Sequence, residues 1–261
     1  MPLPSPDSEN RTVLVTGASS GIGEAIAREL ASRGYDLILV ARRRERLDAL
    51  AGELDVQVET LGADLTSDRA RARVIRAASG VAGVVNNAGQ AGFGDVVDHG
   101  PEREEAIFRT NALALFDVTN RLVRELVARG EGAILNVGSI TAFAPFPHNA
   151  TYAATKAFVQ SFSEALHEEL SGTGVSCTVV SPGPTRTGIW EKSEGGGIEG
   201  LGGALLWQSP EQVAREAVDG MVAGRRTVLP GLTNKVASLG YRFTPRTALL
   251  PVTRAVTKYA V

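Results

Sequence analysis

The chain has 261 residues, of which 43% are hydrophobic and 21% charged, and a formal net charge of −2. That length suits one large α/β domain, the composition excludes disorder as the default state, and the near-balanced charge gives no ground for a nucleic-acid partner. No stretch reaches the roughly 18 uninterrupted apolar residues that a membrane-spanning helix needs, and the single cysteine, Cys177, admits neither an internal disulfide nor a cysteine-built metal site.

Met1–Asn10, with Pro2, Pro4 and Pro6 and no apolar stretch, reads as a disordered leader and not as a signal peptide. Thr12–Thr16 reads as a strand, and Gly21–Arg33 as a helix with Ile22, Ile26, Ala27 and Leu30 on one face. A strand at Leu37–Val40, a helix at Arg44–Gly52 and a strand at Val56–Leu61 follow. Ser67 is the expected N-cap of a helix over Ser67–Ala78. Next come a strand at Gly83–Val85 and one long helix from Pro101 to Ala128, with Pro101 in the first turn, where its missing N–H costs little. The series closes with a strand at Ala133–Val137, a helix at Tyr152–Leu170, a strand at Val175–Ser181, a helix at Pro210–Ala223 and a short strand at Thr227–Leu229.

Strands that are apolar on both faces and separated by helices imply a doubly wound parallel sheet of about seven strands, covered on both sides. The expected organisation is a leader at 1–10, a Rossmann-like domain at 11–230 with a lid at 184–208, and a C-terminal extension at 231–261. Ligands of such sheets lie beyond the carboxyl ends of the strands, near the point where strand order reverses. Cys177 sits in the apolar run Val175–Val180 and reads as a small buried hydrophobe, compatible with a reducing cytoplasm. His99, His148 and His167 have no ligand spacing, so no metal is assigned, and His148 reads as a surface-loop residue.

Between the first strand and first helix stands Thr16-Gly17-Ala18-Ser19-Ser20-Gly21-Ile22-Gly23. Glycines at this crossing let the backbone approach a pyrophosphate, and the helix N-terminus offers it free N–H groups. Five motifs together carry a family resemblance. They are this loop, Asn86-Asn87-Ala88-Gly89 after the fourth strand, Asn111 in the long helix, Tyr152-Ala153-Ala154-Thr155-Lys156 with Ser139 thirteen residues before Tyr152, and Pro182-Gly183 after the sixth strand. The chain, from about Thr12 to Leu229, resembles the short-chain dehydrogenase/reductase family.

The resemblance implies a nicotinamide cofactor held by Gly17, Ser19, Ser20, Gly21, Ile22 and Gly23, by Asn87, Ala88 and Gly89, by Tyr152 and Lys156, by Pro182 and Gly183, and by Thr187 at the carboxamide. Asp64, with Leu65 beside it, resembles the position that contacts the adenine; a turn role for Asp64 is equally open. The second strand ends Val40-Ala41-Arg42-Arg43-Arg44, without the acidic residue that binds a ribose diol in NAD enzymes. Arg42 is therefore the expected partner of a 2′-phosphate, which makes NADP(H) the expected cofactor ahead of NAD(H), and Arg43 and Arg44 read as solvated.

Hydride transfer to a carbonyl leaves negative oxygen that needs a proton. Tyr152 is the candidate acid/base, with Lys156 four residues on, one helical turn away, expected to lower the phenol from its ordinary pKa of about 10. Ser139 would orient the substrate oxygen, or simply cap a turn. Asn111, a poor helix former, by resemblance holds a water that links Lys156 to solvent.

Trp190, Leu201, Leu205, Leu206 and Trp207 in the lid, with Phe93, Phe143 and Phe146, suggest a hydrophobic ketone, aldehyde or secondary alcohol. Oxidation of a hydroxysteroid or acyl-type alcohol, and a non-catalytic NADP-sensing protein, are the competing readings. The resemblance further implies a homodimer or homotetramer. Past Asp219 the chain holds seven basic residues (Arg225, Arg226, Lys235, Arg242, Arg246, Arg254 and Lys258) and no acidic one. Leu232, Val236 and Leu239, then Leu249, Val252 and Val256, have amphipathic helix spacing. Such a terminus more commonly caps its own cleft or meets a sister subunit than an anionic membrane surface.

Overall fold

A computed structural model describes residues 2–186 and 207–258. Seven strands form one wholly parallel sheet in the order β3-β2-β1-β4-β5-β6-β7, with β1 at Thr12–Thr16, β2 at Asp36–Ala41, β3 at Val58–Gly62, β4 at Gly83–Asn86, β5 at Gly132–Val137, β6 at Val175–Val180 and β7 at Thr227–Val228. The helices are α1 (Gly21–Ser32), α2 (Arg44–Ala51), α3 (Asp68–Ala77), α4 (Pro101–Phe108), α5 (Ala114–Arg129), α6 (Ala150–Glu169), α7 (Pro210–Val222), α8 (Leu232–Phe243) and α9 (Arg246–Lys258).

Alternate strand residues serve opposite layers. Val13, Val15, Leu37, Leu39 and Leu135 pack with Ile26 and Leu30 of α1 and Val218 of α7. Leu14, Ile38, Val40, Val84 and Ile134 pack with Val74 of α3 and Val118 and Leu122 of α5. Both faces are covered, which is why the strands read as continuous apolar runs. Leu135 is fully buried, so truncating it to alanine would cost about 2–5 kcal/mol. Ser67 caps α3 as expected, accepting a hydrogen bond from Ala70 N.

Two expectations change. The N-terminal segment is packed and not free: Leu3 is buried in the core, the Tyr35 hydroxyl donates to Pro4 O, and Gly132 N donates to Pro2 O. One buried leucine outweighs the proline-rich look of the leader. The single helix over Pro101–Ala128 is interrupted by a π-turn at Arg109–Leu113. This wider turn carries Asn111, which is buried. Such bulges cluster at functional sites because they re-aim a side chain without ending the helix.

Candidate active site

The strand order reverses between β1 and β4, and the glycine loop leaves the carboxyl end of β1 there. Gly17 has φ 70, a left-handed conformation that disfavours any side chain. A Cβ on Gly17 would stand 2.7 Å from Asn87 Nδ2 and 2.8 Å from Ala88 Cα; one on Gly23 would overlap Gly17 O and Asn87 Nδ2. Asn87 is the clasp between the two loops, its Nδ2 donating to Thr16 O at 3.0 Å and Gly17 O at 3.2 Å. Thr16 Oγ1 accepts from Asn87 N and Ala88 N at 3.0 and 3.1 Å. This close-packed turn, with glycine where a side chain would collide and lying at the start of α1, fits a dinucleotide pyrophosphate.

Arg43, read from sequence as solvated, instead spans the same loop. Its Nη2 donates to Ser19 Oγ and Ser20 Oγ, both at 3.0 Å. Arg42 is exposed, and Arg44 pairs with Asp48 at 3.7 Å. Three consecutive arginines at a strand end splay in different directions, so sequence alone could not choose among them. Asp64 holds a turn, its Oδ1 accepting from Thr66 N and Thr66 Oγ1 at 3.0 and 2.9 Å, while Leu65 beside it is buried.

A second cluster gathers at the carboxyl end of β5. Ser139 caps the short 3-10 turn Ile140–Phe143, accepting from Thr141 N at 3.2 Å, and also hydrogen-bonds Tyr152. The turn-capping reading of Ser139 therefore holds, and the same hydroxyl also faces Tyr152. Lys156 Nζ is buried, donates to Val137 O at 2.8 Å and lies 5.6 Å from the Tyr152 ring centroid. Burial lowers this ammonium from 10.5 to about 8. Burial likewise raises the Tyr152 phenol above 10, and the hydrogen bond with Ser139 opposes that rise. For Tyr152, burial outweighs every lowering influence, so the net direction is upward and not the downward one expected from Lys156.

Asn111 Oδ1 accepts from Gln90 N at 2.8 Å; its Nδ2 donates to Gln90 O at 2.9 Å and to Thr155 Oγ1 at 3.2 Å. A Cβ on Gly89 would lie 3.4 Å from Asn111 Oδ1 and 3.8 Å from Lys156 Nζ, so the two side chains converge on Gly89. Sequence alone assigns no role to Gln90, which adjoins the Asn86–Gly89 motif, or to Thr155, which lies inside the Tyr152–Lys156 motif. His148 is also more than a loop histidine: it has φ 61, and its Nδ1 lies 2.6 Å from Asp95 Oδ1. Gly94 N donates to His148 O, which ties this loop to the one before α6.

Pro182 O accepts from Ile140 N at 2.9 Å, fixing the Pro182-Gly183 turn beside Ser139. Asn234 of α8 packs so closely on Gly183 that a side chain there would overlap it. Thr187, Trp190, Leu201, Leu205 and Leu206 of the expected lid lie outside the described residues. Burial pushes the Cys177 thiol up to about 12, which leaves it an unreactive packing residue.

A glycine turn at the switch point of a parallel sheet marks the dinucleotide-binding α/β proteins, and the second cluster adds ionisable groups suited to an oxidoreductase. Similarity narrows this class. The short chain dehydrogenase family matches residues 11–196, and the chain belongs to that family. It is an oxidoreductase acting on alcohol or carbonyl groups. Sulfoacetaldehyde reductase 2 of Chromohalobacter salexigens is 40% identical over 188 residues, covering 67% of this chain and 73% of that protein. The 7beta-hydroxysteroid dehydrogenase of Collinsella aerofaciens is 31% identical over 228 residues, covering 85% and 86%. The solved short-chain dehydrogenase of Sphingobium yanoikuyae in complex with NADPH superposes with a TM-score of 0.77 at 36% identity, covering 91% of this chain and 94% of that one. Among the described residues no helix is long and apolar enough to cross a membrane.

Proposed function

We propose that this enzyme uses NADP(H) to interconvert a hydrophobic ketone or aldehyde with its alcohol, and that Tyr152 moves the proton. The observation that carries the reading is the Tyr152 phenol hydrogen-bonded to Ser139 beside the buried Lys156 ammonium, with burial favouring the phenol's neutral form. The nicotinamide, when bound, supplies or accepts the hydride. Ser139 orients the substrate oxygen, and Tyr152 donates its proton to that oxygen as negative charge develops. The phenolate left behind is stabilised by Lys156, whose ammonium is largely charged at neutral pH. Asn111 lies beside Lys156 at Gly89, on the route by which the proton is replaced. Ser139, Tyr152 and Lys156 standing together favour turnover over a cofactor-sensing role.

Arg42 and Arg43 form the basic rim for the 2′-phosphate, Arg43 already resting on Ser19 and Ser20. Gly17, Ser19, Ser20, Gly21, Ile22 and Gly23 hold the pyrophosphate, while Asp64, Leu65, Asn87, Ala88 and Gly89 line the adenosine and ribose side. Pro182, Gly183 and Thr187 border the nicotinamide. The steroid dehydrogenase relative, alike over most of both chains, favours a bulky secondary alcohol as a second substrate class. Binding titrations should give NADPH at least about tenfold tighter than NADH, and Arg43→Ala should remove most of that ratio. Equal affinity for both cofactors would contradict the role given to Arg42 and Arg43. A panel of ketones, aldehydes and steroids followed by nicotinamide absorbance identifies the substrate class.

A further inference from the structure

Helices α8 and α9 follow one another at the C-terminal side of the sheet, and α8 reverses the usual placement of its faces. On α8, Asn234 and Ser238 are buried, and Tyr241 packs edge-on against Phe146 at 5.9 Å. Asn234 Nδ2 donates to Gln208 Oε1 and Pro230 O, each at 2.9 Å. The docked face is thus mainly polar. Opposite it, Leu232, Val236, Leu239 and Phe243 recur at i, i+4, i+7 and i+11 and are 77, 63, 54 and 81% exposed. Val252 and Val256 of α9 are exposed as well. An outward apolar stripe of this length is unusual on a free surface and marks a contact face.

Charge identifies the occupant. No acidic residue follows Asp219, whereas Lys235, Arg246 and Arg254 are exposed on the hairpin. A second copy seated by the same face would bring these cations together without a hairpin carboxylate to separate them. An anionic lipid surface accepts both features: the stripe enters the boundary between headgroups and acyl chains, and the cations meet the headgroups. We propose that α8–α9 lays its outward face on an anionic membrane surface, holding the enzyme peripheral to it.

Co-sedimentation of the full chain with vesicles tests this. The protein should pellet with phosphatidylcholine–phosphatidylglycerol vesicles, not with phosphatidylcholine alone, and should be released by high salt. Val236→Ser/Leu239→Ser/Phe243→Ser, all at solvent-facing positions, should bind about tenfold more weakly and keep soluble carbonyl reduction intact. Lys235→Gln/Arg254→Gln should weaken binding and flatten its salt dependence. Failure to pellet with anionic vesicles at low salt overturns the proposal, as does unchanged binding by the triple-serine protein. A wild type that ignores vesicles, with a triple-serine protein of smaller mass in sedimentation equilibrium, assigns the face to a second copy and equally overturns it.

Discussion

The cofactor edge of the sheet and the C-terminal hairpin obey the same packing rules with opposite outcomes. At the edge, apolar strand residues go inward and leave a small set of polar groups to meet beyond the strand ends: Thr16, Asn87, Ser139 and Lys156. On α8, Asn234 and Ser238 go inward while Leu232, Val236, Leu239 and Phe243 face out. The sheet is built around its own core, so hydrophobic periodicity tells which side is inside. Helix α8 is docked through Asn234 on Gln208 Oε1 and the backbone Pro230 O, with Tyr241 against Phe146, so the hydrogen bonds of Asn234 help decide which side is inside.

Apart from the loss of the phenol itself, the largest effect expected is at Lys156. Lys156→Met should lower turnover by about a hundredfold, because the phenolate loses its cation. The same change tests the burial of that charge. The folded chain sheds the Lys156 proton near pH 8, whereas the unfolded chain keeps it to about 10.5, so wild-type stability gains from this group as pH rises through that window. The gain is up to ~3 kcal/mol. Urea unfolding at pH 7 and pH 9.5 should show this slope in the wild type and not in Lys156→Met; a variant that keeps the slope contradicts the assignment.

Gly23→Ala follows. Its Cβ would force apart Gly17 and Asn87, so cofactor affinity should drop about tenfold or more by titration, while the far side of the sheet keeps its hydrogen-exchange protection. Unchanged affinity would mean that the glycine turn is not the pyrophosphate cradle. The smallest effect is in the hairpin. Asn234→Ala deprives Gln208 Oε1 and Pro230 O of a donor, costing about 1–2 kcal/mol. Hydrogen exchange should then accelerate over 232–258 and not in β1 or β4; uniform acceleration would show that hairpin and sheet open as one unit.

Most of the sheet was legible in the sequence, since the βα periodicity and the Ser67 and Pro101 helix starts carry direct physical signatures. The Thr16–Gly23 turn and the Ser139, Tyr152 and Lys156 spacing were equally plain. What stayed hidden depends on three-dimensional neighbours. The π-turn at Asn111 leaves no periodic trace beyond one poor helix former. Arg43 reaches Ser19 and Ser20 because of how the chain turns after β2, and the Asp95–His148 contact joins residues far apart in the chain. The spacing of Leu232, Val236 and Leu239 announced an amphipathic helix without saying which side would dock.

The proton-transfer role of Tyr152 is the claim on which the rest depends. Tyr152→Phe removes one hydroxyl and keeps the ring, so its single-turnover rate with NADPH and a competent carbonyl tests that role directly. The account predicts a fall of about a thousandfold with NADPH affinity unchanged; a rate within a few fold of wild type would contradict it.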